Sequence, residues 1–171
     1  MTTVIDASIH TLNKSVSLLN QLNDTQLSNA TIPPYYSCIG AHVRHILDVY
    51  DCILEGLDSK IIDLTLRKRD EQMNCDCSYA KTKVESVIST LEAVDVNAID
   101  QVGYTLRDDL GLGLIDMNYT LDAALAQANS HAIHHYAIIN YILDRLELTF
   151  EDADFGYNPT SPKNAPVTSN S

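Results

Sequence analysis

The residues best suited to chemistry in this 171-residue chain are its six histidines. Three of them fall in one short run, Ser130-His131-Ala132-Ile133-His134-His135-Tyr136. An imidazole near neutral pH offers a lone pair to a metal ion or exchanges a proton with a neighbour. His131 and His135 are four residues apart, so on a helix they share one face, one turn above the other. Two imidazoles so placed can grip one divalent ion when a third ligand arrives from elsewhere in the fold. His131 with His134, three residues apart, is an alternative pair on the same helix. The third ligand is expected from a second pair, His42 and His45, and periodicity alone does not choose between them. The bland alternative is a set of half-exposed histidines hydrogen-bonded to Asp or backbone, since H-x-x-x-H is common in helices.

The elements that must position these residues follow from apolar periodicity. Ile5, Ile9, Leu12, Val16, Leu19 and Leu22 form one stripe and predict a helix over residues 5–23. Pro33-Pro34 blocks helix after it. A second helix is expected from an N-cap at Ser37 to about Gly56, carrying His42 and His45. Residues 58–77 have no clear period and read as loop with short helical turns. A third helix is expected over 78–94. Residues 97–118 contain Gly103, Gly111 and Gly113 and read as irregular, with a short extended piece at 102–106. The clearest helix starts at a Thr120 cap and runs to about residue 146. Its three-four alternation runs through Leu121, Ala124, Ala128, His131, His135, Ile138 and Ile142, which places both histidines on the core-facing seam. A buried imidazole must satisfy one donor and one acceptor, and a metal ion answers that demand directly. The expected fold is all-α: a four-helix bundle over residues 1–150, with a short irregular segment before the last helix. Residues 151–171 are expected to be a partly ordered tail.

A formal net charge of −12 argues against general nucleic-acid binding and against docking on an anionic membrane. The first residues lack the basic start and apolar run of a signal peptide, which points to the cytoplasm. The four cysteines are then expected as reduced thiols, with Cys75 and Cys77 incidental neighbours in a turn.

The segments Ile39-Gly40-Ala41-His42-Val43-Arg44-His45-Ile46-Leu47-Asp48 and Ser130–Ile139 together resemble the DinB/YfiT-like superfamily. The likeness is greatest to a poorly characterised branch with a G-x-H-x-R-H-x-x-D signature. Arg67-Lys68-Arg69-Asp70 resembles that branch's basic R-x-R-D stretch, and Phe155-Gly156-Tyr157-Asn158-Pro159-Thr160 resembles its terminal F-G-x-x-P-S/T segment. The resemblance implies a DinB/YfiT-type four-helix bundle holding a divalent metal (zinc, nickel or iron) through His45, His131 and His135. It implies that His42 flanks the metal or stays unbound. Val49 stands where many members of the branch have a further histidine. Relatives include thiol-dependent transferases and isomerases, and a homodimer is expected by the same resemblance.

Three neutral ligands would leave the ion an open position, unlike a closed structural site. The expected function is therefore a metal-dependent enzyme, of thiol-dependent transferase or hydrolase type, acting on a small-molecule thiol or substrate. The alternative is a non-catalytic metal-binding or stress-related protein whose ion is structural. Asp48, one turn beyond His45, is a candidate to orient an imidazole, or else a salt-bridge partner of Arg44. Arg67 and Arg69 are candidates to bind a substrate carboxylate or phosphate, or else a surface pair in an acidic surround. Tyr36 and Tyr136 are expected as core or interface aromatics.

Overall fold

The structure, a computed structural model, describes residues 3–95 and 103–162. It corrects the all-α expectation. Among the described residues, four long helices and one short one are joined by a three-stranded mixed sheet. The long helices are α1 (Val4–Gln21), α3 (Ile39–Glu55), α4 (Cys77–Glu92) and α5 (Leu121–Arg145), and α2 (Asp24–Leu27) is a single turn. The strands are β1 (Ile61–Asp63), β2 (Tyr104–Asp109) and β3 (Leu114–Tyr119), in the order β1-β2-β3. β1 runs parallel to β2 with Ile62 opposite Leu106, and β2 runs antiparallel to β3 with Leu106 opposite Met117. A 3-10 turn over Glu71–Asn74 precedes α4. Among the described residues no helix is long and apolar enough to cross a membrane.

Each long helix starts on a side chain that satisfies free backbone donors. Thr3 and Asp6 form a reciprocal capping box on α1. Thr120 caps α5 as expected, its Oγ1 accepting from Ala123 N–H at 3.1 Å. Cys38 rather than Ser37 caps α3, its Sγ accepting from Ala41 N–H at 3.3 Å. Ser37 is thereby free for another task.

The core lies where α1, α3, α4 and α5 meet. On α5 the buried residues are Leu121, Ala124, Leu125, Ala128, Ala132, His135, Tyr136, Ile139, Ile142 and Leu143. That line corrects the predicted seam: His135 is on it, but His131 and Ile138 are half-buried at its edge. A 25-residue helix keeps the 3.6-residue period, so a strict seven-residue count slides off its buried face. Tyr136 is fully buried and its hydroxyl donates to the Thr11 carbonyl at 2.9 Å, with Ser15 Oγ 2.7 Å away. Tyr36 is not a core aromatic: it is 62% exposed, with a left-handed φ of 51°.

The stretch after α5 is more than a tail. Phe155 is fully buried, stacked on Tyr136 with ring centroids 4.5 Å apart and edge-on to Phe150 at 4.8 Å. Lys14 on α1 bridges to Asp152 at 2.7 Å. Phe155 and Asp152 therefore tie the start of the expected tail to the helices, while residues 157–162 are exposed and 163–171 lie outside the described residues.

Candidate metal centre

α3 and α5 pack side by side, and each turns its histidines toward the other. One ring nitrogen each from His45, His131 and His135 lies within 4.8 Å of the other two. The His131 and His135 Nε2 atoms are 3.1 Å apart. A tetrahedral ion at ordinary zinc–imidazole distances separates its nitrogens by about 3.3 Å. The three rings meet edge to face: centroids are 4.9 Å apart for His45 and His131, 4.8 Å for His45 and His135, and 4.5 Å for His131 and His135. Among the described residues no fourth His, Cys, Asp or Glu joins the group.

The group is poised neutral. Burial pushes His135 down to about 3, with the adjoining His131, His45 and His42 adding to the effect. Burial pushes His45 down to about 4, with His131, Arg67 and Arg44 nearby. His131 is lowered by burial and by Arg67, with Asp108 on β2 acting in the opposite sense. Near neutral pH each ring is therefore uncharged and has one lone pair, on whichever nitrogen its hydrogen bonds leave unprotonated.

His42 is not among the three, yet it is wired to them. Its Nδ1 is 2.9 Å from His135 Nδ1, and its Nε2 is 2.8 Å from Ser37 Oγ. Two proton arrangements satisfy this chain of bonds. In one, His135 Nδ1–H donates to His42, and His42 Nε2–H donates to Ser37. In the other the direction reverses and His135 Nε2 carries a proton. Only the first leaves the His135 Nε2 lone pair for an ion. A hydrogen bond of this kind on the far nitrogen is what usually fixes the orientation of a metal-binding histidine. Burial lowers His42 as well, which keeps it available as a neutral acceptor. His134 is exposed, its ring 5.5 Å from that of His135 and outside the cluster.

Asp48 touches no imidazole. It is 5% exposed; its Oδ2 accepts from Arg44 Nη1 at 3.1 Å and its Oδ1 accepts from the Arg69 main-chain N–H at 3.2 Å. Of the two roles considered for it, the salt bridge to Arg44 is the one present. Arg44 Nε also donates to Asn74 Oδ1 at 3.1 Å. Gly40 makes that contact possible: a Cβ there would sit 2.6 Å from the Asn74 backbone. Arg67 and Arg69 follow β1 and line the same cleft as His42, His45, His135, Arg44 and Asp48. The contributions of Ser37 and Asn74 were not anticipated. Ser37 competes for two jobs at the helix start, and only its five-residue distance from His42 hints at the second. Cys75 and Cys77 are free thiols and neither joins this group; Cys75 precedes α4 and Cys77 is its first residue, not part of a turn.

No protein-family model, curated protein or solved structure matches the chain.

Proposed function

We propose that this chain is a metal-dependent enzyme of DinB/YfiT-like kind, with His45, His131 and His135 holding one zinc, nickel or iron ion. The observation that carries the proposal is the convergence of three burial-neutralised imidazoles from two helices, with no fourth ligand beside them among the described residues. Kinship is supported by the quoted motifs and by where they fall: the G-x-H-x-R-H-x-x-D stretch on α3, H-x-x-x-H on α5, and F-G against the core.

A divalent ion held by His45, His131 and His135 would keep its charge, since the ligands are neutral, and would supply Lewis acidity toward a thiol or carbonyl. The protein's own groups do the rest. Ser37 and His42 hold the His135 ring in one orientation, and His42 can accept the Nδ1 proton that frees His135 Nε2 for the ion. Asp48 is spent on Arg44 and on the chain turn at Arg69, so it does not compete for the ion. α3 and α5 are long, packed helices, which fix the three rings more firmly than loops would. A thiol-dependent transferase or hydrolase acting on a small molecule, in a cytoplasmic homodimer, is the function we propose.

The test is metal analysis of the purified chain beside a His131→Ala/His135→Ala variant, followed by a screen of the loaded protein with low-molecular-weight thiols. About one ion per chain is expected in the wild type and little in the variant. Equal metal in both overturns the site. A loaded protein that turns over no thiol overturns the transferase reading.

A further inference from the structure

The cleft beside the three histidines is basic in a chain that is otherwise acidic. Its volume is about 310 Å³, and its lining includes Arg44, Arg67 and Arg69 against the single carboxylate of Asp48. The chain has only five arginines and a formal net charge of −12, so three arginines on one cleft is not a random draw.

The hydrogen bonds decide which of these charges are free. Arg44 is committed to Asp48 and Asn74. Asp48 is committed to Arg44 and to the Arg69 N–H. Arg67 is held by one bond, Nε to the Leu64 carbonyl at 2.8 Å, which leaves both terminal nitrogens without a partner among the described residues. Arg69 has a left-handed φ of 51°, and its guanidinium makes no hydrogen bond or ion pair among the described residues. The backbone is built to hold this arrangement. Leu64 is buried, and its N–H donates to the Arg107 carbonyl on β2 at 2.9 Å. Asp63 Oδ1 accepts from the Thr65 N–H at 3.0 Å and closes the turn. Arg107 in turn bridges β1 and β3, donating to Asp116 at 2.7 and 2.9 Å and lying 3.8 Å from Asp63.

We propose that Arg67 and Arg69 form an oxyanion site beside the histidine cluster, so that the substrate is a small molecule bearing a carboxylate or phosphate group. Guanidinium groups match the two oxygens of either group and bind them through charge-assisted hydrogen bonds. The cleft is at the small end of ligand sites, which suits a metabolite rather than a polymer. Arg67 and Arg69 line one cleft with His45 and His135. An anion held there is therefore adjacent to the proposed reaction centre. For its chemistry this inference rests on the metal reading; for anion binding it does not.

The experiment is isothermal titration of inorganic phosphate and of malonate into the full chain at low ionic strength, metal-free and nickel-loaded. The proteins are wild type, Arg67→Gln/Arg69→Gln, Arg69→Gln alone, Arg145→Gln and His131→Ala/His135→Ala. Arg145 is exposed at the end of α5, so its variant removes the same charge from another place. Wild type should bind one anion per chain, and the double arginine variant should weaken it about tenfold or more. Arg69→Gln keeps the main-chain bond to Asp48 and so carries little folding liability; it should weaken binding severalfold. Arg145→Gln should match wild type. The histidine variant should lose nickel yet still bind the anion in the metal-free state, which separates failure of the metal site from failure of this one. The tighter of the two probes identifies the group. Absence of saturable binding of either anion by wild type overturns the proposal, as does equal binding by wild type and the double arginine variant.

Discussion

His42 offers the sharpest test of how the cluster is organised. It sits one helical turn before His45 and accepts, in the ion-ready tautomer, from His135 Nδ1–H at 2.9 Å. Replacing it by leucine keeps bulk and helix propensity but removes the acceptor. His135 would then keep an N–H in a half-buried place with no partner, at a cost of about 1–3 kcal/mol. Its ring would also be free to swing away from His131. Loss of such a supporting bond typically weakens metal affinity about 10–100-fold, which is about 1.4–2.8 kcal/mol, so the two routes to the magnitude agree. His45 and His131 are untouched, so binding should weaken rather than vanish. Ser37→Ala acts one bond further out, through the 2.8 Å contact with His42, and should cost less than His42→Leu. The assay is competition for zinc against a chromophoric chelator, with thermal unfolding of the metal-free proteins as a control for folding. Two results would refute the reasoning. His42→Leu with wild-type affinity would mean the His42–His135 bond does not support the ion. Affinity as low as in His131→Ala would make His42 a ligand in its own right.

Two further outcomes follow from the core. His45 and His135 titrate at about 4 and about 3 in the folded chain, below the ordinary 6.5. The unfolded chain therefore binds more protons across this window; the stability is fully present above pH 6.5 and is lost as pH falls toward those values. The melting temperature of the metal-free protein should drop between pH 7 and pH 5, and His45→Asn/His135→Asn should flatten the drop; an equally steep fall in the variant would show that other groups cause it. Phe155→Ala should cost about 3–5 kcal/mol in urea unfolding, since it removes a fully buried ring stacked on Tyr136 and edge-on to Phe150. A cost below about 1 kcal/mol would return the stretch from residue 151 to the status of a tail.

The helices were legible because their signals are local. Apolar period, the Thr120 cap and the Pro33-Pro34 break lie within a few residues of what they govern, and α1, α3, α4 and α5 fall within two or three residues of expectation. The three clustered histidines were named on the resemblance, with spacing alone leaving His42 and His134 in play. The orienting role of His42 needed the approach of α3 to α5, which no spacing encodes. Of the sheet, only the start of β2 is legible, as the extended piece expected at 102–106, and the rest is hidden for separate physical reasons in each strand. β1 is three residues long and pairs in parallel with β2, so its partner lies more than forty residues away in the chain. β2 does alternate, with Tyr104 and Leu106 buried, but the alternation is short. β3 carries Leu114 and Ile115 on an exposed strand, so its apolar residues do not mark a buried face. Its turn was readable in hindsight: Asp109 Oδ1 accepts from both Gly111 N–H at 2.8 Å and Gly113 N–H at 3.2 Å, a hairpin closed by one carboxylate.

The sheet explains what the helices alone could not. With residues 58–77 read as loop, Arg67 and Arg69 have no fixed place, and the sequence leaves open whether they bind an anion or are a surface pair. β1 changes that, because pairing Ile61–Asp63 against Thr105–Arg107 fixes where the chain leaves the sheet. The buried Leu64, the Asp63 turn and the Asp48 bond to Arg69 N–H then leave the next five residues little freedom. A loop would spread two guanidinium groups over many positions and lose rotational entropy on binding an anion. Anchoring the segment by its backbone leaves only the side-chain ends to be ordered. The helices thus bring the imidazoles together, while the sheet aims the arginines at the same cleft. A substitution that frees β1 from β2, such as Ile62→Asp in the fully buried position opposite Leu106, should loosen the arginine side while α3 and α5 keep their histidines.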